Sequence, residues 1–186
     1  GEVNALRQLV PLLAADVDVV VSVTTDTGIA RAREVLSNSA RIVRYPLDFS
    51  WAVKKLLDAV KPDVVGLVEL ELWPNFVGEC VRRRVPVAVI NGRLSARSFR
   101  GYRRIRPFFR GTFGSLSVAA VQDEAYRARF VEMGVPPERC RITGSMKWDA
   151  VKFEDAVPGA EQLAEELGID RSRPLIVAGS TGPLPA

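Results

Sequence analysis

Glu69 and Glu71 stand two residues apart in Glu69-Leu70-Glu71-Leu72-Trp73-Pro74-Asn75, directly after the apolar run Val64-Val65-Gly66-Leu67-Val68. The run reads as a buried strand, and residues i and i+2 of a strand point to one face. Pro74 suits the first turn of a helix, where its missing N–H costs nothing. The segment therefore reads as strand, tight turn and helix, with two acids at the strand's C-terminal end. In open α/β sheets that is where ligands bind. Paired acids at such a position can also do no more than pair with an arginine, and Glu71 is open to that explanation more than Glu69.

The rest of the composition narrows the chemistry. The chain has no histidine, which excludes Ser-His-Asp and Cys-His catalysis by its own residues and weighs against zinc. A general base must then be Asp, Glu, Lys or Tyr. Glu2 opens the first helical pattern. A carboxylate there is favoured by the helix dipole, which explains it structurally and would also keep a base ionised near neutral pH. Cys80 and Cys140 match no metal or redox spacing and read as reduced thiols. Thr24 to Gly28 lacks the glycine spacing of a dinucleotide or P-loop site, so no cofactor is expected and no metal.

The net charge of +4 is unevenly placed. Arg93, Arg97, Arg100, Arg103, Arg104, Arg106 and Arg110 crowd into one stretch of eighteen residues, at the end of a predicted strand. Arginine forks suit phosphate, so Arg93, Arg97 and Ser98 are candidates for binding an anionic ligand. Interleaved Phe99, Tyr102, Ile105, Phe108 and Phe109 add an apolar stripe, which fits an anionic lipid surface or a core-facing helix side. Nothing in the segment matches a nucleic-acid motif. Lys147, in Gly144-Ser145-Met146-Lys147-Trp148-Asp149, is by residue type alone a surface lysine.

The elements that must position these residues follow from periodicity. Helices are expected over 2–15, 29–36 (capped by Asp26 or Thr27), 50–60 (capped by Ser50), 74–84, 102–113, from 122 to Gly134, and 160–167. Strands are expected over 17–23, 41–45, 64–68, 85–90, 116–121, 139–143 and 174–181, with 91–101 as a loop. This alternation predicts an α/β fold, a Rossmann-like parallel sheet with helices on both faces. Residues 1–155 would form one domain, and 156–186 a linker, helix and first strand of a second. With 186 residues and no run of eighteen apolar ones, no segment reads as membrane-spanning. No signal peptide is visible, and an opening inside a helical pattern suggests a trimmed piece.

Taken in order, Gly1-Glu2-Val3, Val23-Thr24-Thr25 with Thr27-Gly28, Glu69 to Asn75, Asn91 with Arg93 to Ser98, Gln122, and Gly144-Ser145 with Lys147 resemble the Kdo (3-deoxy-D-manno-octulosonic acid) transferases of lipopolysaccharide synthesis. Each motif is weak alone; the ordered set spans nearly the whole chain. The resemblance implies the N-terminal, acceptor-binding half of a two-domain GT-B glycosyltransferase. Such an enzyme inverts configuration as it moves Kdo from CMP-Kdo to a hydroxyl of the lipid A precursor, without a metal, at the cytoplasmic face of the bacterial inner membrane.

Carried over by residue, the resemblance makes Glu2 the general base, with Glu69 and Lys147 stabilising the transition state. Lys147 would face the leaving phosphate or the Kdo carboxylate, and Glu69 would support oxocarbenium character or orient the acceptor. Arg93, Arg97, Ser98, Glu71 and Asn75 would bind the acceptor, and the segment 93–110 would meet the membrane surface. The family's membrane anchor and most of its donor domain are missing, and Gly182 to Ala186 lacks the usual acidic continuation. This piece alone is therefore expected to be inactive, with Glu2 fraying unless Val3 and Leu6 hold it. Competing readings are another GT-B lipid-sugar transferase, or a non-enzymatic module for anionic lipid or other polyanions.

Overall fold

A computed structural model describes residues 2–150, 158–170 and 172–176. The chain divides into two compact units, Gly1–Val151 and Lys152–Ala186. In the first, α1 (Glu2–Leu13) buries Ala5 and Val10. Val10 meets Val21 of β1 (Val20–Val23) and Ala32 and Leu36 of α2 (Asp26–Leu36), with Val3 and Leu6 packed on the same cluster. Helix packing therefore does hold the start of α1. Thr25 caps α2, its hydroxyl accepting from Gly28 N–H at 3.1 Å. Asp26, expected as a cap, is instead the first helical residue and pairs with Arg44. Strand β2 (Arg41–Arg44) runs parallel to β1.

The remaining elements of this unit are α3 (Ser50–Val60), β3 (Val65–Val68), α4 (Pro74–Arg82), β4 (Val87–Gly92), α5 (Ala96–Arg104), α6 (Arg106–Gly114), β5 (Val118–Val121), α7 (Glu124–Met133) and β6 (Cys140–Ile142). Short 3-10 turns cover Pro137–Arg139 and Trp148–Ala150. The described strands are all parallel and fall into two sheets, β1-β2 and β3-β4-β5-β6. Helices connect the sequential strands, and α3–α4, α4–α6 and α6–α7 are in contact. Leu67, Val87, Val89, Ala119 and Val121 of the four-stranded sheet meet Val53, Leu57, Phe76, Val77, Phe113, Phe130 and Met133 from the helices. Phe113 and Phe130 cross edge to face at 5.6 Å.

The arginine segment departs from expectation. Ser95 caps α5 by accepting from Ser98 N–H at 3.1 Å, so the helix starts earlier than periodicity suggests. One helix over 102–113 becomes two, broken at Ile105 (φ −110°, ψ 19°). Pro107 is the cause, since inside a continuous helix it would remove one hydrogen bond and clash with the preceding turn. Strand β4 also runs on to Gly92, which stands opposite Val121 after a shift in register.

In the second unit α8 covers Ala160–Glu166 and the chain turns left-handed at Gly168 (φ 63°). Of the linker expected from 156 onward, 156 and 157 lie outside the described residues, as does most of the strand expected over 174–181. Among the described residues no helix is long and apolar enough to cross a membrane.

The N-terminus of α4 shows how the loops are fixed. Trp73 at its N-cap makes no side-chain capping bond to the helix. The work is done from a distant loop by Asp48, which accepts from Asn75 N–H at 3.0 Å and Phe76 N–H at 2.9 Å. Removing such a cap costs about 1–2 kcal/mol. Asp48→Ala is therefore expected to lower unfolding free energy by about that amount in urea titration. Asn75→Ala removes only a bond to the Asp48 carbonyl at 2.7 Å, and is expected to cost about half as much.

Candidate active site

The rim at the carboxyl ends of the strands begins where β3 ends. Glu69 leaves the extended conformation for a left-handed one (φ 58°) while its N–H still donates to the Ile90 carbonyl at 2.9 Å. The strand rule that would align Glu69 with Glu71 therefore does not apply, because the turn begins at Glu69 itself. Leu72 anchors the turn, 5% exposed. Glu71 accepts from the Trp73 indole N–H at 2.8 Å, so part of its role is to hold the entry to α4. Asn75 spends its side-chain amide on the Asp48 loop, as described above.

Glu2 shares this environment although it comes from the other sheet's helices. Its carboxyl is held above the ordinary range, first by partial desolvation, then by the charges of Glu69 and Glu71. The dipole of α1 was expected to favour its ionised form; desolvation and two nearby acids outweigh it. A raised carboxyl is a stronger base once ionised. The tyrosine alternatives are weaker: burial, then Asp48 and Glu71, push the Tyr45 phenol far up, and Tyr102 is raised by burial. The Tyr45 hydroxyl is buried with no partner among the described residues, and its ring lies 5.4 Å from Phe76 and 6.2 Å from Trp73. Burial likewise raises the thiol of Cys80 to about 11 and that of Cys140 above its usual range, so both are neutral, free and buried.

Arg93 follows β4 on the same rim. The Tyr126 hydroxyl and, more weakly, Glu69 hold its guanidinium above the usual value, which puts Arg93 and Glu69 in one field. Arg97 and Ser98 lie exposed in the first turn of α5, where the Ser98 hydroxyl accepts from Ser95 at 3.0 Å. Lys147 is exposed in the loop after β6. The residue before it is tied to the end of β4 by a 3.2 Å bond from Met146 N–H to Asn91 Oδ1. Of the stripe in 93–110, Phe99, Tyr102 and Phe109 pack on the core, leaving Ile105 and Phe108 exposed.

Two features went unread at the level of sequence. Asp48 looks like an ordinary loop residue, since its targets are 27 and 28 positions away. Leu47, Phe49 and Trp51 are exposed, at 74%, 57% and 71%, and line a groove of about 460 Å³ with Leu56, Arg44 and Lys55. Large exposed apolar groups at consecutive odd positions were the available signal.

Residues 1–150 match the sequence family described as 3-Deoxy-D-manno-octulosonic-acid transferase (kdotransferase). The chain belongs to the Kdo transferase family. The match takes in every acid and base of the rim. A 3-deoxy-D-manno-octulosonic acid transferase of Haemophilus influenzae is 30% identical over 97% of this chain and 43% of its own length. One from Chlamydia trachomatis is 29% identical over 88% of the chain and 38% of its own length. A bifunctional glycosyltransferase/methyltransferase of Fusobacterium nucleatum is 28% identical over 97% of the chain and 29% of its own length. The chain thus spans less than half the length of these relatives. Among solved structures, the S. aureus MnaA–UDP complex has a TM-score of 0.59 at 15% identity, covering 90% of this chain and 48% of its own. A UDP-N-acetylglucosamine 2-epimerase of Rickettsia bellii gives 0.56 at 12%, covering 91% and 46%. These two likenesses are of fold: an α/β unit of parallel strands and flanking helices that makes up about half of each chain.

The charges of Glu69 and Glu71 contribute to the raised carboxyl of Glu2. In carbon-detected NMR the Glu2 carboxyl is expected to titrate above 4.5, and Glu69→Gln or Glu71→Gln should each bring it down; an unmoved midpoint would place the acids apart. Because the folded-state value is raised, Glu2 favours folding below the ordinary carboxylate range. That contribution is lost as pH rises through the raised value. Glu2→Gln should therefore stabilise the chain at neutral pH relative to its behaviour at pH 4.

Proposed function

We propose that this chain is the acceptor-binding half of an inverting Kdo transferase, which moves Kdo from CMP-Kdo to a hydroxyl of the lipid A precursor. The observation that carries the reading is the raised carboxyl of Glu2 beside Glu69 and Glu71, in a chain with no histidine to serve as base. Glu2 accepts the proton of the acceptor hydroxyl as that oxygen bonds to the anomeric carbon of Kdo. The bond from that carbon to the CMP phosphate breaks, and its electron pair leaves with CMP. Lys147 places a positive charge where negative charge develops, and Glu69 faces the positive character of the sugar ring or orients the acceptor.

The acceptor's phosphates fall to Arg93 and Arg97 through paired N–H donors, with Ser98 and the Glu71–Asn75 turn at its sugar. Exposed Ile105 and Phe108 among the arginines, together with the groove at Leu47, Phe49 and Trp51, suit the lipid side of the acceptor and an anionic membrane surface. That surface is the cytoplasmic face of the inner membrane in this reading. Residues 156–186 open the donor domain, and the groups that hold CMP belong to that domain.

Calorimetric titration with the soluble bisphosphorylated glucosamine disaccharide tests the binding half. It should bind, its dephosphorylated form and CMP should not, and Arg97→Ala should weaken binding about tenfold or more. Equal binding of any polyanion, collapsing with salt, would favour a charged surface over an acceptor site. In the whole transferase carrying this chain, Glu2→Gln should lower kcat by about a hundredfold or more with KM for the acceptor little changed.

A further inference from the structure

The end of β4 holds a side chain with no part in the roles above. Asn91 is 1% exposed and takes a left-handed backbone, φ 56°. Such a backbone is unfavourable for a residue other than glycine, less so for Asn or Asp. Conformation alone would be met better by glycine, so the side chain needs its own explanation.

Its hydrogen bonds supply one. Asn91 Oδ1 accepts from Met146 N–H at 3.2 Å and from Gln122 Nε2 at 3.1 Å, and Gln122 Nε2 also donates to the Asn91 carbonyl at 3.2 Å. A backbone N–H can only donate, so Met146 fixes which end of the amide is oxygen. The Nδ2 end is buried with no partner among the described residues. A buried donor left unmet is destabilising. Two unfavourable features therefore meet at one residue, and what it provides is a tether for the loop that carries Lys147.

That tether lies at a junction of the rim. Glu69 donates its N–H to Ile90, one residue before Asn91, and Arg93 comes two residues after. Gln122 directly follows β5, and Met146 belongs to the loop after β6. Lys147's own N–H has only a 3.4 Å contact to the Ser145 hydroxyl, in a loop entered through left-handed Gly144 (φ 79°). We propose that Asn91 is a positioning residue: its Oδ1 fixes the loop that sets Lys147 at the rim. The proposal rests on the transferase reading of Lys147 and adds how that lysine is placed.

Asn91→Gly keeps the backbone conformation and the Gln122 bond to carbonyl 91, and removes Oδ1. Asn91→Asp restores an acceptor at the same place. In hydrogen exchange by NMR, the Met146 amide should exchange at least about tenfold faster in the Gly variant and near the native rate in the Asp variant. The amides of Val89 and Ala119 should be unchanged in both. In the whole transferase, Asn91→Gly should lower kcat about tenfold with KM for the acceptor steady, and Asn91→Asp should recover part of it. Unchanged exchange at Met146 overturns the tether whatever the protein's activity. Faster exchange with unchanged kcat overturns the positioning role. Lys147→Ala, measured beside it, separates the causes: if that variant also turns over normally, the reading of Lys147 has failed and the proposal falls with it. Should Asn91→Gly not fold, Met146→Pro deletes the same bond from the loop side and carries the same expectation for kcat.

Discussion

Parallel pairing of β3, β4, β5 and β6 sends every strand of that sheet out at the same edge, and the side chains that can do chemistry hang from it. Because each strand ends beside its neighbour, groups far apart in sequence become adjacent with no element reaching across the fold. Glu69 bonds to Ile90, Gln122 to Asn91, and Met146 to Asn91 again. The rim is thus stitched by backbone and amide contacts before any ligand enters. Preorganisation of this kind lets charges act without rearranging at the moment of reaction.

Electrostatics on that rim follow from the same geometry. Glu69 and Glu71 disfavour the charged form of Glu2, while Arg93 after β4 feels the charge of Glu69. The acids and bases are not neutralised in tight pairs, and ion pairs such as Glu79 with Arg82 and Arg83 lie instead on α4. Uncompensated like charges at strand ends are poor for stability and suited to a site that meets its counter-charge in a substrate.

Much of the fold was legible because local rules decided it. Asp123 caps α7 by accepting from Tyr126 N–H at 2.7 Å, and Gly134 ends that helix at φ 129°, as a polar start and a glycine stop announce. The β-branched runs gave the strands. What stayed hidden depended on contacts distant in sequence. Periodicity placed Phe99, Tyr102 and Phe109 on a stripe but could not say that the core, rather than a lipid surface, would claim them. The left-handed turn at Glu69 leaves no mark in residue type, so the direction of its carboxyl could not be read from strand alternation. The candidate acids, lysine and arginines could be named from residue type and resemblance; their mutual arrangement could not.

Among the described residues no ladder of hydrogen bonds joins the β1-β2 sheet to the larger one. Glu2 rides on the helices of the small sheet, whereas Glu69 and Glu71 leave the large one. Links visible between them are Gln8 Nε2 of α1, which donates to the Asp149 carbonyl at 2.7 Å, and the loop after β2, where Tyr45 packs on Trp73 and Phe76 and Asp48 grips the start of α4. The general-base candidate and the acids that tune it therefore sit on opposite sides of a joint held by side chains. Slippage at that joint would alter the basicity of Glu2 without disturbing either sheet, so the Asp48 loop and the Gln8 contact bear on a carboxyl that neither touches.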